Sequence, residues 1–208
     1  MTTATLNRAS LVLMRVPLSH PSLVSRVRDW ADRGTVHHAV MALFAPNLPG
    51  NETTKRAEAA ILYRVEDDHR SPHLLVQSRV APDIDTAGLA RTDLTGLTPR
   101  LTSGTIVRFR LDVNAVRSQS RTRHRLPVPE LEIPEWLTKT VMNRGLSSIE
   151  VGELTVSVLR ASNTPLRIAR IDGTASIHDG VALLTLLAEG VGRAKAYGCG
   201  LLSVLPIG

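Results

Sequence analysis

Four glycines near the C-terminal end of the chain, in two G-x-G pairs at Gly190/Gly192 and Gly198/Gly200, stand between an apolar helical segment and a closing apolar strand. Glycine reaches positive φ without steric penalty and lets a backbone pass close to its neighbours. Arg193 and Lys195 lie between the pairs, so loop amides exposed there would sit beside two cations, an arrangement suited to phosphate oxygens. One pair alone would read as an ordinary helix C-cap. The P-loop is excluded because no Gly-Lys-Ser/Thr follows. The dinucleotide fingerprint is excluded because its glycines follow a strand and open a helix. Here they follow a helix and precede a strand.

The rest of the chain reads as alternating strands and helices. Ser10 to Val16 is a first strand, and Leu23, Val27 and Trp30 recur at helical spacing. Thr35 is a candidate N-cap for a helix whose stripe is Val36, Val40, Leu43 and Phe44, stopped by Pro46, with His37 and Met41 on a neighbouring face. Residues 47–56 form a loop by composition, 59–65 and 74–78 read as strands, and 81–104 carry turn residues that could conceal a second helix. Thr105 to Val113 alternates, with Arg108, Arg110 and Asp112 on one face and Val107, Phe109, Leu111 and Val113 on the other. A helix follows Pro134, and a long strand from Ser148 turns at 161–165 and returns to Ile177. Asp179 can cap a helix over 180–189, and Leu201 to Leu205 is the last strand. With one more strand near 125–128, the second half is a βαββαβ unit. The expected fold class is α+β, two ferredoxin-like βαββαβ domains in tandem, residues 1–115 and 116–208.

Charge points to a polyanion. The chain of 208 residues has a net charge of +6 and a pI near 10.4, with only three lysines, Lys55, Lys139 and Lys195, among its 25 cations. Arginine matches phosphate and guanine edges bidentately, although a GC-rich genome also favours it over lysine. Between residues 108 and 125 six arginines (Arg108, Arg110, Arg117, Arg121, Arg123, Arg125) face one acid, Asp112. A solvated edge is the plain account of such a run, and a phosphate-tracking surface the functional one. Aromatic residues are 3% of the chain, too few for a base-stacking platform, so any RNA would be read by shape or phosphates. One cysteine, Cys199, excludes an internal disulfide and a multi-cysteine zinc site. No apolar run could span a membrane and no signal pattern opens the chain, so a cytoplasmic protein without membrane association is expected.

The segment Gly-Arg-Ala-Lys-Ala-Tyr-Gly-Cys-Gly-Leu-Leu-Ser-Val, residues 192–204, resembles the glycine-rich signature that closes the RAMP proteins of CRISPR systems. In particular it resembles the CasE family of CRISPR RNA-processing endoribonucleases. The resemblance implies tandem ferredoxin-like domains, as the element order also does. It implies cleavage of CRISPR repeat RNA at the base of its stem-loop, retention of the hairpin, and assembly with the other subunits of Cascade.

In that family the catalytic histidine lies on the first helix, seven residues before the phenylalanine of a Leu-Phe-Pro-like helix end. His37 stands seven before Phe44 in Leu43-Phe44-Ala45-Pro46. The implied chemistry is metal-independent: the RNA 2′-hydroxyl attacks its own phosphorus while imidazole moves a proton. Two family residues are missing, a tyrosine where this chain has Gly34 and a lysine where it has Ala42. Arg33 and His38, beside His37, are candidate compensating contacts. The candidate RNA contacts are Arg33, His38, Arg108, Arg110, Arg117, Arg121 and Arg123, the hairpin residues Arg160, Arg167 and Arg170, and Arg193 and Lys195 of the loop. His69 and His73, four apart, lack a helix and a third ligand, so no metal or other cofactor is expected. A non-catalytic RAMP subunit that binds RNA structurally would share the glycine loop without needing His37. An arginine-rich RNA-binding module outside CRISPR would need neither.

Overall fold

The computed structural model describes residues 10–46, 48–67, 70–118, 125–141 and 144–207. Two four-stranded antiparallel sheets organise them. The first contains β1 (Val12–Pro17), β2 (Leu62–Glu66), β3 (His73–Ser78) and β4 (Arg91–Asp93), in the order β2-β3-β1-β4. The second contains β5 (Ile106–Val113), β8 (Leu146–Ala161), β9 (Thr164–Ile177) and β10 (Leu202–Pro206), in the order β10-β5-β9-β8. Numbered within its own sheet, each reads 4-1-3-2, the order of a ferredoxin-like βαββαβ unit. Among the described residues the short strands β6 (Val116–Ser118) and β7 (Arg125–Pro127) pair only with each other, as a two-stranded ribbon.

Three sequence expectations change. The strand at 106–113, counted with the first half by a division near residue 115, is the first strand of the second sheet. The strand near 125–128, expected to open the second unit, is instead half of the ribbon. The irregular region hides no second α-helix: β3 runs through turns to β4, and a 3₁₀ helix at Thr95–Arg100 follows. The signal for β5 was correct in its alternation, but alternation says which face is buried and not which sheet a strand joins.

The helices lie where burial requires them. α1 is one turn, Pro21–Val24, and α2 spans Arg33–Met41 with Val36, Ala39 and Val40 buried against Met14, Val16, Tyr63 and Val76 of the first sheet. Its N-cap is Asp32 rather than Thr35. The Asp32 side chain accepts from the Gly34 amide at 3.0 Å and from the Thr35 hydroxyl at 2.8 Å, which satisfies a free amide of the first turn. α3, Lys55–Glu58, is a single turn that begins at the end of the segment 47–56 read as a loop. α4 (Ile133–Val141) and α5 (Gly180–Glu189) cover the second sheet, and Asp179 caps α5 as expected.

The other face of the first sheet is covered by the second unit, so all five residues of β2 are buried. Apolar contact there is made by Leu13, Leu62, Leu75 and Leu201, and Leu11 and Ala60 join the core of the second unit. Buried polar groups join the two units as well. Arg64, 2% exposed, donates to the carbonyls of Arg110 (3.0 Å) and Leu201 (2.9 Å) and to the Ser203 hydroxyl (2.7 Å). Gln77 donates to the Leu187 carbonyl at 2.8 Å. No helix among the described residues is long and apolar enough to cross a membrane.

Candidate active site

The glycine loop folds back on itself and docks on the first unit. Gly190, Gly192, Gly198 and Gly200 all have positive φ, between 70° and 89°. A Cβ on Gly190 would stand 2.8 Å from the Gly200 carbonyl oxygen, and one on Gly200 2.8 Å from that of Val191. This close crossing is what the paired glycines permit. The Gly190 amide donates to the Leu186 carbonyl, the Val191 amide to Gly200, and the Gly200 amide to Asp112 at 2.7 Å. Those three amides are therefore occupied, and a continuous backbone phosphate cradle is not formed. Tyr63 of β2 pins the loop by donating from its buried hydroxyl to the Ala196 carbonyl at 3.0 Å. Cys199 is fully buried and its thiol is pushed up to about 12 by that burial and then by the charge of Asp112, so it packs rather than reacts.

His37 meets this loop. It lies half-buried in the middle of α2, its ring edge-on to Tyr197 with centroids 6.3 Å apart and 5.6 Å from the ring of the exposed His38. Its Nδ1 is buried without a hydrogen-bond partner. Protonation there would bury an N–H with no acceptor, which favours the neutral ring. Burial holds its pKa below the ordinary imidazole value, and the charges of His38, Arg56 and Lys55 lower it further. The neutral imidazole can accept a proton at neutral pH, and the ring so protonated can deliver it.

Beside the loop opens a cleft of about 750 Å³, lined by Thr53, Arg56, Asn114, Trp136, Arg193 and Lys195 among others, with no acidic residue among the described residues of its wall. Lys195 donates to the Glu189 carbonyl at 2.7 Å, and burial followed by the charges of Arg56 and Arg144 lowers its pKa. Arg193 projects from an exposed position opposite Asn114. The segment 53–56, read as a featureless loop, thus supplies Arg56 to the site. Its Thr-Thr-Lys-Arg sequence carries two adjacent cations, the one signal that could have drawn attention to it.

The remaining arginines divide by their partners. Arg110 pairs with Asp172 (2.7 Å) and Glu66 (3.2 Å), and Arg170 pairs with Asp112 (2.9 Å) and Asp67 (3.0 Å) and donates to the Val65 carbonyl. Both hold the units together, and the acids beside Arg170 raise its pKa. Arg33 is 8% exposed, its Nε and Nη1 unpaired, below the tip of the β8–β9 hairpin. Arg33 is buried, and Arg110 and Arg170, though partly exposed, are committed to carboxylates from distant segments that periodicity cannot see. Arg117 pairs with Glu132, Arg160 with Asp29, and Arg167 donates to the Val128 carbonyl. Arg108 and Arg193 are exposed and form no ion pair among the described residues. Arg121, Arg123 and His69 lie outside the described residues.

The hairpin tip explains one missing family residue. The Ser162 amide donates to Asp32 Oδ1 and the Arg160 amide to the Ala31 carbonyl, which sets the tip on the first turn of α2. A Cβ on Gly34 would overlap Ser162 Oγ and stand 2.9 Å from its backbone nitrogen, so no side chain, least of all tyrosine, fits there.

A two-unit ferredoxin-like fold, with a histidine helix facing a glycine-rich loop and a cationic cleft, describes a class of RNA-handling proteins. Residues 11–206 match the family model described as CRISPR associated protein. The chain belongs to that family and is a CasE-type, type I-E member of it. The CRISPR system Cascade subunit CasE of Escherichia coli (strain K12) is 28% identical over 204 residues, covering 89% of this chain and 98% of that protein. A structure of CRISPR endoribonuclease Cse3 bound to 19 nt RNA superimposes with a TM-score of 0.74 at 25% identity, covering 95% of this chain and all of that one. Thermus thermophilus Cse3, bound to an RNA representing a pre-cleavage complex, shares the fold with a TM-score of 0.70 at 22% identity, again covering 95% of this chain and all of that one.

Proposed function

We propose that this chain is an endoribonuclease that cuts CRISPR repeat RNA at the base of its stem-loop and then keeps the hairpin as a subunit of Cascade, in the cytoplasm. The observation that carries the reading is the placement of His37 against the glycine loop, beside a cleft walled by cations, with no acid among the described residues of its wall. The 2′-hydroxyl attacks its own phosphorus in line, the 5′-oxygen leaves as a hydroxyl, and a 2′,3′-cyclic phosphate remains. His37 takes the 2′-hydroxyl proton or delivers one to the leaving oxygen, and the cations offset charge developing on the phosphate. His38, Arg108, Arg117, Arg160, Arg167, Arg193 and Lys195 contact the RNA, whereas Arg33, Arg110 and Arg170 hold the protein in the shape that presents them. The domain division falls between residues 94 and 105, where one sheet gives way to the other.

The test is incubation of purified protein with its own repeat RNA in EDTA. Wild type cleaves to a cyclic-phosphate product, and His37→Ala loses about 10²- to 10⁴-fold in rate while still binding the hairpin. Hairpin binding by a wild type that does not cleave would favour a structural RAMP subunit instead.

A further inference from the structure

Arg56 is the cation in the cleft wall that stands nearest in role to His37 without having been assigned one. It lies half-buried in α3, with its Nη1 held by the Ile61 carbonyl at 2.9 Å, and it forms no ion pair among the described residues. An arginine fixed by a neutral carbonyl keeps its full charge and its other N–H groups for a ligand. Its positive charge lowers the pKa of both His37 and Lys195, and Ala196 of the same cleft wall adjoins Tyr197, whose ring meets His37. The cleft lining joins it to Arg193 and Lys195. Three cations with no acid have an anion as their natural occupant.

We propose that Arg56 is a catalytic residue that holds a non-bridging oxygen of the scissile phosphate and stabilises the charge gathered there as the 2′-oxygen attacks. The proposal rests on the reading of His37 as the proton-transfer group. A guanidinium suits the task because its planar fork can grip two phosphate oxygens, which a lysine ammonium cannot. Its position on a short turn held by the Ile61 carbonyl provides the preorganisation such stabilisation needs. The charged and titratable groups facing His37 are His38 on its own helix, Lys55 and Arg56 on α3, and Tyr197 of the loop. Loss of Arg56 therefore also lets the pKa of His37 rise.

The experiment measures single-turnover cleavage of the repeat RNA by wild type, Arg56→Ala and Arg56→Lys across pH. Hairpin affinity is measured in parallel with a repeat carrying 2′-deoxyribose at the cut site. Arg56→Ala is expected to cut about 10²- to 10³-fold more slowly. It should bind the hairpin within about threefold of wild type, with the inflection of its pH-rate profile moved upward, while Arg56→Lys recovers part of the rate. Cleavage by Arg56→Ala within threefold of wild type, parallel losses of binding and cleavage, or an unmoved inflection would overturn the proposal. A wild type that binds but never cleaves removes the reading of His37 and this proposal with it; a cleaving wild type beside an unimpaired Arg56→Ala removes the proposal alone.

Discussion

The ring of Tyr197 stands edge-on to the ring of His37, 160 positions earlier in the chain. The first helix and the last loop therefore build one site, and the titration of His37 depends on both. Its pKa is depressed, first by burial and then by neighbouring cations. The unfolded chain consequently takes up a proton that the folded one resists. That contribution to stability is complete above the ordinary value of 6.5 and is lost as pH falls toward the folded value. His37→Asn should lose less melting temperature than wild type between pH 7.5 and pH 5, measured by thermal unfolding. An equal or larger loss would contradict the assigned direction.

Gly34→Ala forces a Cβ against the Ser162 backbone nitrogen, where no side-chain rotation relieves it. The hairpin tip must lift from α2 at a cost of about 1 to 3 kcal/mol. Denaturant unfolding checks the magnitude. Ser162→Gly in the same chain removes the hydroxyl overlap and also eases the positive φ of Ser162, so the part of the loss it restores is judged against Ser162→Gly alone.

The loop glycines are not equivalent. Gly190 has φ 74° and ψ 168°, a region only glycine occupies readily, and its Cβ would meet Leu62 and the Gly200 carbonyl. Gly192 has a similar φ, but a Cβ there comes no closer than 3.4 Å to the Trp136 ring. Gly190→Ala should therefore cost more than Gly192→Ala, by about 1 to 2 kcal/mol in denaturant unfolding. Equal costs would show that the crossing of the loop on itself is not what requires Gly190.

Arg108 and Arg110 share a face of β5 and should behave oppositely. Arg108→Ala is expected to leave the melting temperature unchanged, to weaken binding of all RNA hairpins alike, and to reduce the slope of log affinity against log salt by about one. Arg110→Ala leaves Glu66 and Asp172 short of a partner and should lower the melting temperature. Hairpin titrations at several salt concentrations, paired with melting curves, separate the two outcomes.

That pair also marks where sequence reading stops. Alternation correctly turned Val107, Phe109, Leu111 and Val113 inward, and the glycine spacing located the loop that meets His37. Both signals are local. Whether an arginine on the other face meets RNA or a carboxylate depends on which strand lies opposite. Glu66, 44 residues before Arg110, and Asp172, 62 residues after it, carry no periodic signature of that meeting. Arg56 was passed over for the same reason, since a single helical turn has too few residues to show a stripe.

The seam between the two sheets has a consequence for inheritance. A leucine-on-leucine boundary tolerates many partners of about the right size, whereas a guanidinium buried against named acceptors tolerates few. Arg64 needs Ser203, Arg110 needs Glu66 and Asp172 from opposite sides, and Arg170 needs Asp112 and Asp67. Grafting either half onto its counterpart from a distant relative would remove the cross-seam partners Ser203, Glu66 and Asp67 at once, leaving each arginine only the acid of its own unit. The two similar units are thereby tied to change together at these positions.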